Sequence, residues 1–323
     1  MKGTRFNVLV TGVGAIIGYG IVRSLRLCRY DVNIVGMDIY HDAVGQQWCD
    51  SFIQAILGSD ARYCDFLADA MDKHKIDLVF FGVEDEIQRL CDDQDNFKGD
   101  FNKLVLNNKA LIKLSSDKWR LYEHLILNKF KAIKSLIAGE YDIVAEALGS
   151  PFLLKPRCST ASKGITIIRS RDDFYYWKTK LGKNFMVQEI VGDDEHEYTV
   201  GIFGLGDGSF FQSISFSRKL SREGSTVKAQ TVNIPELEAE VRKFTALFKP
   251  VGPTNYQFRR HKGDYLLLEV NPRFSSSLSL RTAFGFNETE MCLEYFAEKS
   301  KLNPAVIKQG TAIRYVEDIV EYR

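Results

Sequence analysis

The stretch that decides the fold lies late in the chain, at residues 266–273, and reads LLLEVNPR. Its apolar run, residues 266–270, predicts a β-strand that carries Glu269 and ends near Pro272. A carboxylate in so apolar a run is costly to bury unless a cation neutralises it. The alternative, a solvated glutamate followed by an ordinary Asn-Pro turn, fits this apolar setting less well. The stretch therefore predicts a site for a bound cation.

A second predicted strand, residues 255–258, precedes it, and residues 262–264 supply the turn of a hairpin. Because side chains alternate between the two faces of a strand, odd-numbered positions in both strands share one face. Gln257, Glu269 and Asn271 then lie close together. One carboxylate with two amide oxygens suits Mg²⁺, or alternatively Mn²⁺, bridging nucleotide phosphates.

Upstream, a hairpin predicted from residues 152–155 and 165–168 encloses the small, hydroxyl-rich loop STASKG at residues 159–164. Backbone amides and hydroxyls of such a loop can surround phosphate oxygens, and Lys155 supplies a fixed positive charge. A flexible exposed turn is the alternative that this loop, taken alone, leaves open. Before it, residues 107–134 predict basic helical structure, with Ser115 or Ser116 as the N-cap of a helix that begins near Asp117.

The first third of the chain alternates predicted strands with predicted helices, which indicates βαβ units and a parallel, doubly wound sheet. The predicted strands cover residues 6–10, 32–37 and 78–81, and the predicted helices cover residues 65–74 and 86–91. A glycine turn follows the first strand at Gly12, Gly14 and Gly18. Its spacing lacks the third glycine of the dinucleotide fingerprint, where Ile17 stands, although Asp38 occupies a ribose-binding position. An NAD(P)-dependent oxidoreductase is therefore kept only as an alternative.

Together these motifs resemble the ATP-grasp superfamily, and in particular one ATP-grasp half of the carbamoyl phosphate synthase large subunit. The motifs that carry the resemblance are Lys155-Pro156 with its loop, Gln188-Glu189-Ile190, Glu197-Tyr198-Thr199-Val200 and Glu269-Val270-Asn271-Pro272-Arg273-Phe274-Ser275. The resemblance covers nearly the whole chain. It implies a Rossmann-like pre-ATP-grasp domain at residues 1–112, followed by a two-lobed α+β grasp. The first lobe would span residues 113–185, and the second lobe, with the metal site, residues 186–323.

The resemblance also implies roles for individual residues in ATP binding. Lys118 and Lys155 would contact the phosphates of ATP. The loop closing over them would include Ser159, Ser162, Lys163 and Gly164. Glu189 and the backbone of Ile190 would meet the adenine edge, and Glu197 would accept hydrogen bonds from the ribose hydroxyls.

For the chemistry, the resemblance implies that Gln257, Glu269 and Asn271 hold one or two Mg²⁺. Arg273 and Lys155 would be the catalytic residues, stabilising the transferring phosphoryl group. Two departures from the synthase stand out. Serines occupy positions 275–277, where the synthase has glycines, and Arg218, Lys219 and Gly224 match the segment before the metal hairpin only loosely.

The implied function is an ATP-dependent ligase for a small-molecule carboxylate and a nucleophile such as an amine, acting through an acyl phosphate. Such chemistry needs positioning and charge neutralisation, and the sequence offers no nucleophilic triad. The glycine turn at residues 12–20 and residues 84–86 are candidates for the substrate cleft. A non-catalytic, ATP-binding regulatory protein is the other alternative.

Composition sets the outer limits of these interpretations. The chain has 323 residues, 45% of them hydrophobic and 26% charged, with a net charge of +1. This indicates an ordinary globular protein and gives no sign of nucleic-acid or membrane binding. The first residues lack the apolar region of a signal peptide, which predicts a cytoplasmic protein, and a homodimer is compatible with the sequence. Six scattered cysteines predict free thiols and neither zinc nor disulfides.

Overall fold

The computed structural model describes residues 5–158, 164–221, 224 and 226–320. Its first sheet is parallel, with strand order β3-β2-β1-β4, which confirms the predicted Rossmann-like domain. The strands are β1 (Arg5–Thr11), β2 (Asp31–Asp38), β3 (Ser51–Gln54) and β4 (Leu78–Phe80). The helices of this region are α1 (Ile16–Arg26), α2 (Tyr63–Lys73) and α3 (Glu84–Asp92), with short 3₁₀ turns at Val44–Trp48, Gln94–Asn96 and Phe101–Lys103.

The glycine turn after β1 is built by close contact. Gly12 has a φ of +60°, and a Cβ added to Gly18 would lie 2.0 Å from the Gly12 carbonyl oxygen. The Asp38 carboxylate closes the turn, since Oδ2 accepts from the Gly14 amide at 2.8 Å and Oδ1 accepts from the Tyr40 amide at 3.0 Å. Both oxygens of Asp38, the residue that would bind the ribose of a dinucleotide, thus accept hydrogen bonds from within the domain.

The predicted helical region at residues 107–134 forms two helices, α4 (Lys109–Ser115) and α5 (Lys118–Leu127). The predicted N-cap at Ser115 or Ser116 is wrong. Asp117 caps α5, because its carboxylate accepts from the amides of Trp119 and Arg120 at 2.9 and 3.3 Å. A carboxylate at this position also complements the positive end of the helix.

The second sheet is antiparallel, with strand order β5-β8-β6-β7. Its elements are β5 (Ser135–Leu136), α6 (Tyr141–Leu148), β6 (Phe152–Pro156), β7 (Thr166–Ile168), α7 (Arg171–Leu181) and β8 (Phe185–Glu189). The two helices pack on the sheet around a small core that includes Phe152 and Phe174. Strand β8 belongs to this sheet, so the first lobe continues past the boundary at residue 185 that the resemblance implied.

The third sheet has six strands in the order β13-β12-β9-β10-β11-β14. They are β9 (Glu197–Leu205), β10 (Phe210–Leu220), β11 (Thr226–Val232), β12 (Val251–His261), β13 (Asp264–Asn271) and β14 (Thr311–Ile313). A 3₁₀ turn, Asp194–His196, precedes β9. The helices are α8 (Pro235–Phe248), α9 (Leu278–Ala283) and α10 (Glu288–Cys292), the last continuing into a π-helical turn at Leu293–Glu298.

The two faces of the six-stranded sheet differ in what covers them. Even-numbered residues of β9 and β12, such as Val200 and Tyr256, pack against α5 and α8. On the opposite face, Phe203 and Phe216 join a core that continues into the N-terminal domain. The odd-numbered positions of the same strands carry the polar residues of the candidate site.

No helix in the described ranges is both long and apolar enough to cross a membrane. The six cysteines are free thiols, and three of them, Cys64, Cys91 and Cys292, are buried.

Candidate functional site

Lys155 lies on β6 and is the buried cation of the four-stranded sheet. Its ammonium donates to Gln188 Oε1 at 2.7 Å, and Gln188 in turn donates to Ser135 Oγ at 2.9 Å. Strands β6, β8 and β5 therefore hold the side chain in one position. Burial, followed by the nearby charge of Lys118, lowers the pKa of Lys155 to about 8, and Glu269 opposes that shift.

The electrostatic link from Lys155 to Glu269 is important because the two residues belong to different lobes. Lys118 joins them from the first turn of α5, where its amide donates to the Arg157 carbonyl at 3.0 Å. Arg157 also pairs with the helix cap, its Nη2 lying 2.6 Å from Asp117 Oδ2. The start of α5 is thus fixed to the strand end that follows Lys155.

On the six-stranded sheet, the predicted hairpin is present. Gln257 is opposite Glu269, and Asn255 is opposite Asn271, so the odd-numbered positions share one face as the sequence predicted. An irregularity in the pairing after Gln257 shifts the register. It leaves Leu268 without a partner on β12. Leu267 and Val270, on either side of the irregularity, still pack in the core on the opposite face of the sheet.

The two amide oxygens of this group both accept hydrogen bonds from arginines. Arg218 Nη2 donates to Gln257 Oε1 at 2.6 Å, and Arg273 Nη2 donates to Asn271 Oδ1 at 3.1 Å. Among the described residues, none donates a hydrogen bond to the Glu269 carboxylate. Glu269 is therefore the oxygen donor most open to a ligand.

Gln257, Glu269 and Asn271 are the residues that the sequence predicts as Mg²⁺ ligands. Three oxygen-bearing side chains, one of them a carboxylate, suit a hard cation whose remaining ligands are the phosphate oxygens of a nucleotide. Nowhere in the described ranges do three or more His, Cys, Asp or Glu come together as a metal cluster. The residues present therefore fit Mg²⁺ held with bound phosphate and do not form an all-protein cage.

Glu197, the predicted ribose ligand, lies at the start of β9 between two arginines. Its Oε1 accepts from Arg218 at 2.8 Å, and its Oε2 accepts from Arg259 at 2.6 Å. The side chains of Glu197 and Arg218 are 5% and 4% exposed, so this ion pair is buried. Burial lowers the pKa of Arg218. Both arginines belong to the same sheet face as Gln257.

Arg273, the predicted catalytic residue, links the segment after β13 to the N-terminal domain. Its Nη2 and Nε lie 2.7 and 3.0 Å from Glu84 Oε2. Glu84 begins α3, directly after the carboxyl end of β4. The pairing brings the acidic segment at residues 84–86, predicted to line the substrate cleft, against the segment that carries Asn271.

A fully buried ion pair lies beside the hairpin of β12 and β13. The side chains of Arg281 and Glu288 are both 0% exposed, with 3.2 Å between Nη1 and Oε1. Arg281 Nη2 also donates to Asn255 Oδ1, which accepts from Thr199 Oγ1 at 2.6 Å. The pair thus fixes the strand positions next to Asn271 and Gln257.

Another buried acid lies at the carboxyl ends of the parallel strands. Glu86 accepts from Thr11 Oγ1, and Thr11 Oγ1 accepts from the Gly82 amide at 3.1 Å. Burial raises the pKa of Glu86 to about 7, against the lowering effect of the hydrogen bond from Thr11, and Asp38 adds to the rise. This acid lies beside the glycine turn.

The remaining predicted residues are placed as follows. Glu189 ends β8, its amide donating to the Lys134 carbonyl at 2.9 Å, and Ile190 follows it in the connection to the second lobe. Gly164 has a φ of +78° and lies against Pro156. Ser159, Ser162 and Lys163 lie outside the described residues.

Sequence reasoning missed the buried arginines. Arg218 was matched only loosely, and Arg281 and Glu288 were not singled out. The available signal for Arg218 was a lone arginine at an inward position of an alternating strand, FFQSISFSRKL. For Arg281, the related signal is the glycine at position 201 of β9. A Cβ at Gly201 would lie 2.4 Å from the Arg281 guanidinium, so only glycine leaves room for that side chain.

Comparison with known proteins gives two kinds of match. Residues 182–319 match a family model described as ATP-grasp in the biosynthetic pathway with Ter operon. The uncharacterized protein y4rH of Sinorhizobium fredii is 24% identical over 159 residues, which cover 43% of this chain and 32% of that protein. The match thus spans less than half the length of this curated relative.

Several solved structures are similar over most of the chain. N5-carboxyaminoimidazole synthetase from Staphylococcus aureus, complexed with ADP, has a TM-score of 0.71 at 18% identity, covering 96% of this chain and 82% of that one. The biotin carboxylase–β,γ-ATP complex from Campylobacter jejuni has a TM-score of 0.70 at 15% identity, covering 94% and 73%.

The biotin carboxylase domain dimer of the Hydrogenobacter thermophilus 2-oxoglutarate carboxylase, in complex with MgADP, ADP and bicarbonate, has a TM-score of 0.69 at 14% identity. It covers 94% of this chain and 73% of that one. At these identities the likeness establishes the fold, a parallel-sheet domain followed by the two antiparallel sheets of a grasp.

Proposed function

We propose that this chain is an ATP-grasp enzyme, an ATP-dependent ligase that joins a carboxylate to a nucleophile. The supporting observation is the arrangement of Lys155 and Glu269. A buried cation of one lobe and an open carboxylate of the other lie within electrostatic range. A triphosphate between the lobes would meet both, with Lys118 beside them.

The reaction needs charge neutralisation more than covalent help from the protein. A substrate carboxylate oxygen would attack the γ-phosphorus, the bond to the β,γ-bridging oxygen would break, and ADP would leave. Lys155 and Arg273 would bind the equatorial oxygens of the transferring phosphoryl group. A nucleophile such as an amine would then displace phosphate from the acyl phosphate. Mg²⁺ bound with the nucleotide at Glu269 would neutralise phosphate charge.

The solved relatives support this class of chemistry. The neighbours named above are synthetases and carboxylases, and their complexes contain ADP, ATP analogues, MgADP or bicarbonate. The proposed reaction resembles that of the carbamoyl phosphate synthase, passes through an acyl phosphate and uses Mg²⁺. Small-molecule substrates are proposed on the same basis.

The test is a screen of carboxylates paired with amines, with the full chain, ATP and Mg²⁺. ADP release that requires both partners, together with a joined product identified by mass spectrometry, is expected. ADP release with no partner dependence would contradict the ligase. Binding of ATP with no turnover under any pairing would favour the non-catalytic ATP-binding alternative.

Glu269→Gln should lower ATP turnover by about 100-fold or more, because the amide cannot neutralise a cation held on the phosphates. The fold should be retained, since Gln is similar in shape and this carboxylate accepts no hydrogen bond from the described residues. Asp264→Asn, on the same strand and half exposed, is the matched control and should keep wild-type turnover. Unchanged ADP release in Glu269→Gln would contradict the assignment.

A further inference from the structure

Arg218 lies inside the candidate nucleotide site, yet the motifs give it no role. Its side chain is 4% exposed, and its Nη2 donates to both Glu197 Oε1 and Gln257 Oε1, at 2.8 and 2.6 Å. Among the described residues, none accepts a hydrogen bond from its Nε. A guanidinium so deeply buried is costly unless its charge and its donors are satisfied.

The charges around Arg218 do not balance. Arg218 and Arg259 share one buried carboxylate, that of Glu197. The other partner of Arg259 is Asp194, whose side chain is 95% exposed and therefore neutralises little of the buried charge. The buried group thus carries a net positive charge, and Glu269 is the next carboxylate within its electrostatic range.

This positive charge affects the predicted metal ligands unequally. The side-chain amide of a glutamine has one atom that can bind a metal ion, its oxygen. In Gln257 that oxygen already accepts from Arg218, so a cation bound there would face a guanidinium at close range. Asn271 differs, because its bond from Arg273 is longer, at 3.1 Å, and the charge of Arg273 is met by Glu84.

We propose that the site binds one divalent cation, through Glu269 and Asn271, and that Arg218 takes the place of a second cation by contacting the nucleotide polyphosphate directly. Gln257 is then a positioning residue that holds Arg218, not a metal ligand. A planar guanidinium with an unused donor at Nε suits a phosphate oxygen. This inference rests on the nucleotide binding proposed above.

The first test counts cations in the unmodified full chain. Mn²⁺ is titrated in the presence of the non-hydrolysable analogue AMP-PNP, and bound Mn²⁺ is measured by electron paramagnetic resonance. One tightly bound Mn²⁺ per chain is expected. Two, with the analogue bound, would overturn this inference and leave the ligase proposal intact. Failure of the analogue to bind under any condition would overturn both.

The second test separates positioning from metal binding at Gln257. Gln257→Met removes the oxygen and keeps the length of the side chain, so the Mn²⁺ affinity of the AMP-PNP complex should stay within about twofold of wild type. Glu269→Gln should lose that affinity. A loss in Gln257→Met as large as in Glu269→Gln would show that Gln257 is a ligand and would overturn the inference.

The third test examines Arg218 without metal. With a chelator present, Arg218→Gln should weaken the binding of AMP-PNP by about tenfold, since a charge-assisted contact to phosphate is lost. Arg260→Gln, at an exposed position of β12, is the control and should bind as wild type does. Unchanged affinity in a folded Arg218→Gln would overturn the inference. If that variant does not fold, the first two tests decide.

Discussion

Lys155 is the residue whose protonation the proposed site depends on most. Its pKa of about 8 places the change of charge within the range of ordinary assays. Phosphate is attracted only to the protonated form, so the affinity of ATP measured without metal should fall as pH rises above 8. The slope should approach tenfold per pH unit, which is the limit for one proton.

The matched variant for this pH profile is Lys155→Arg. A guanidinium stays charged over the whole range, so its profile between pH 7 and pH 9.5 should be flat where the wild type falls. Fluorescence titration of a labelled ATP analogue at each pH supplies the affinities. Equal slopes for the two proteins would mean that another group controls binding.

Glu86 is expected to make stability depend on pH. Its folded pKa of about 7 is raised above the ordinary value of 4.5, so the folded state holds this proton more tightly than the unfolded state. The stabilisation from the neutral form is complete below pH 4.5 and is lost as pH rises through 7. The loss is about 3 kcal/mol for a shift of this size.

Glu86→Gln keeps the neutral form at every pH and removes this dependence. Relative to the variant, wild type should lose about 3 kcal/mol of unfolding free energy between pH 4 and pH 8, measured by urea denaturation. Asp72→Asn, at an exposed position of α2, should follow the wild-type curve. A constant difference between wild type and Glu86→Gln would mean that the pKa of Glu86 is the same in the folded and unfolded states, which would contradict the prediction.

At the scale of the element, the hairpin of β12 and β13 shows what sequence can and cannot predict. The two-residue period of strands was sufficient to bring Gln257, Glu269 and Asn271 to one face, and the register agrees. The period does not reveal which charges from other strands occupy that face. Arg218 arrives from β10, which pairs with β9 rather than with the hairpin, and only the order of strands in the sheet makes it a neighbour.

Gly201 on β9 shows how one strand accommodates a side chain from a later helix. Gly201→Ala should destabilise the protein by about 3 kcal/mol, because the new Cβ would lie 2.4 Å from the Arg281 guanidinium. Moving Arg281 would leave the Glu288 carboxylate buried without its partner. Thermal and urea unfolding measure the loss.

The control for this prediction is Gly20→Ala on α1. A Cβ at Gly20 would meet no atom within 4 Å, and alanine is the better helix former. This variant should be as stable as wild type or more stable. If Gly201→Ala were equally harmless, Arg281 would have room that the contact distance does not indicate.

At the scale of the whole molecule, the hydrophobic cores do not follow the order of the three sheets along the chain. The N-terminal domain and the six-stranded sheet share one core, in which the rings of Phe80 and Phe274 lie 5.8 Å apart. The four-stranded sheet has its own small core. Sequence motifs identified the fold from local patterns, but this division depends on contacts between distant segments that no local pattern contains.

The division predicts two groups of amide exchange rates. In hydrogen exchange at increasing urea, amides of β5, β6 and β8 should open together and at lower free energy than the rest, because a small core protects them. Strands β1 and β9 should open together with each other. A single opening transition for all three sheets would contradict the separate core.

The shared core also determines which parts of this chain could be exchanged as modules. A chimera that replaced the N-terminal domain with that of a relative would place a foreign surface against Phe274 and Leu278, which are 2% and 0% exposed here. Such a replacement would need compensating changes in the grasp. The four-stranded sheet with α6 and α7 carries its core within itself, so this lobe is the natural unit for transplantation.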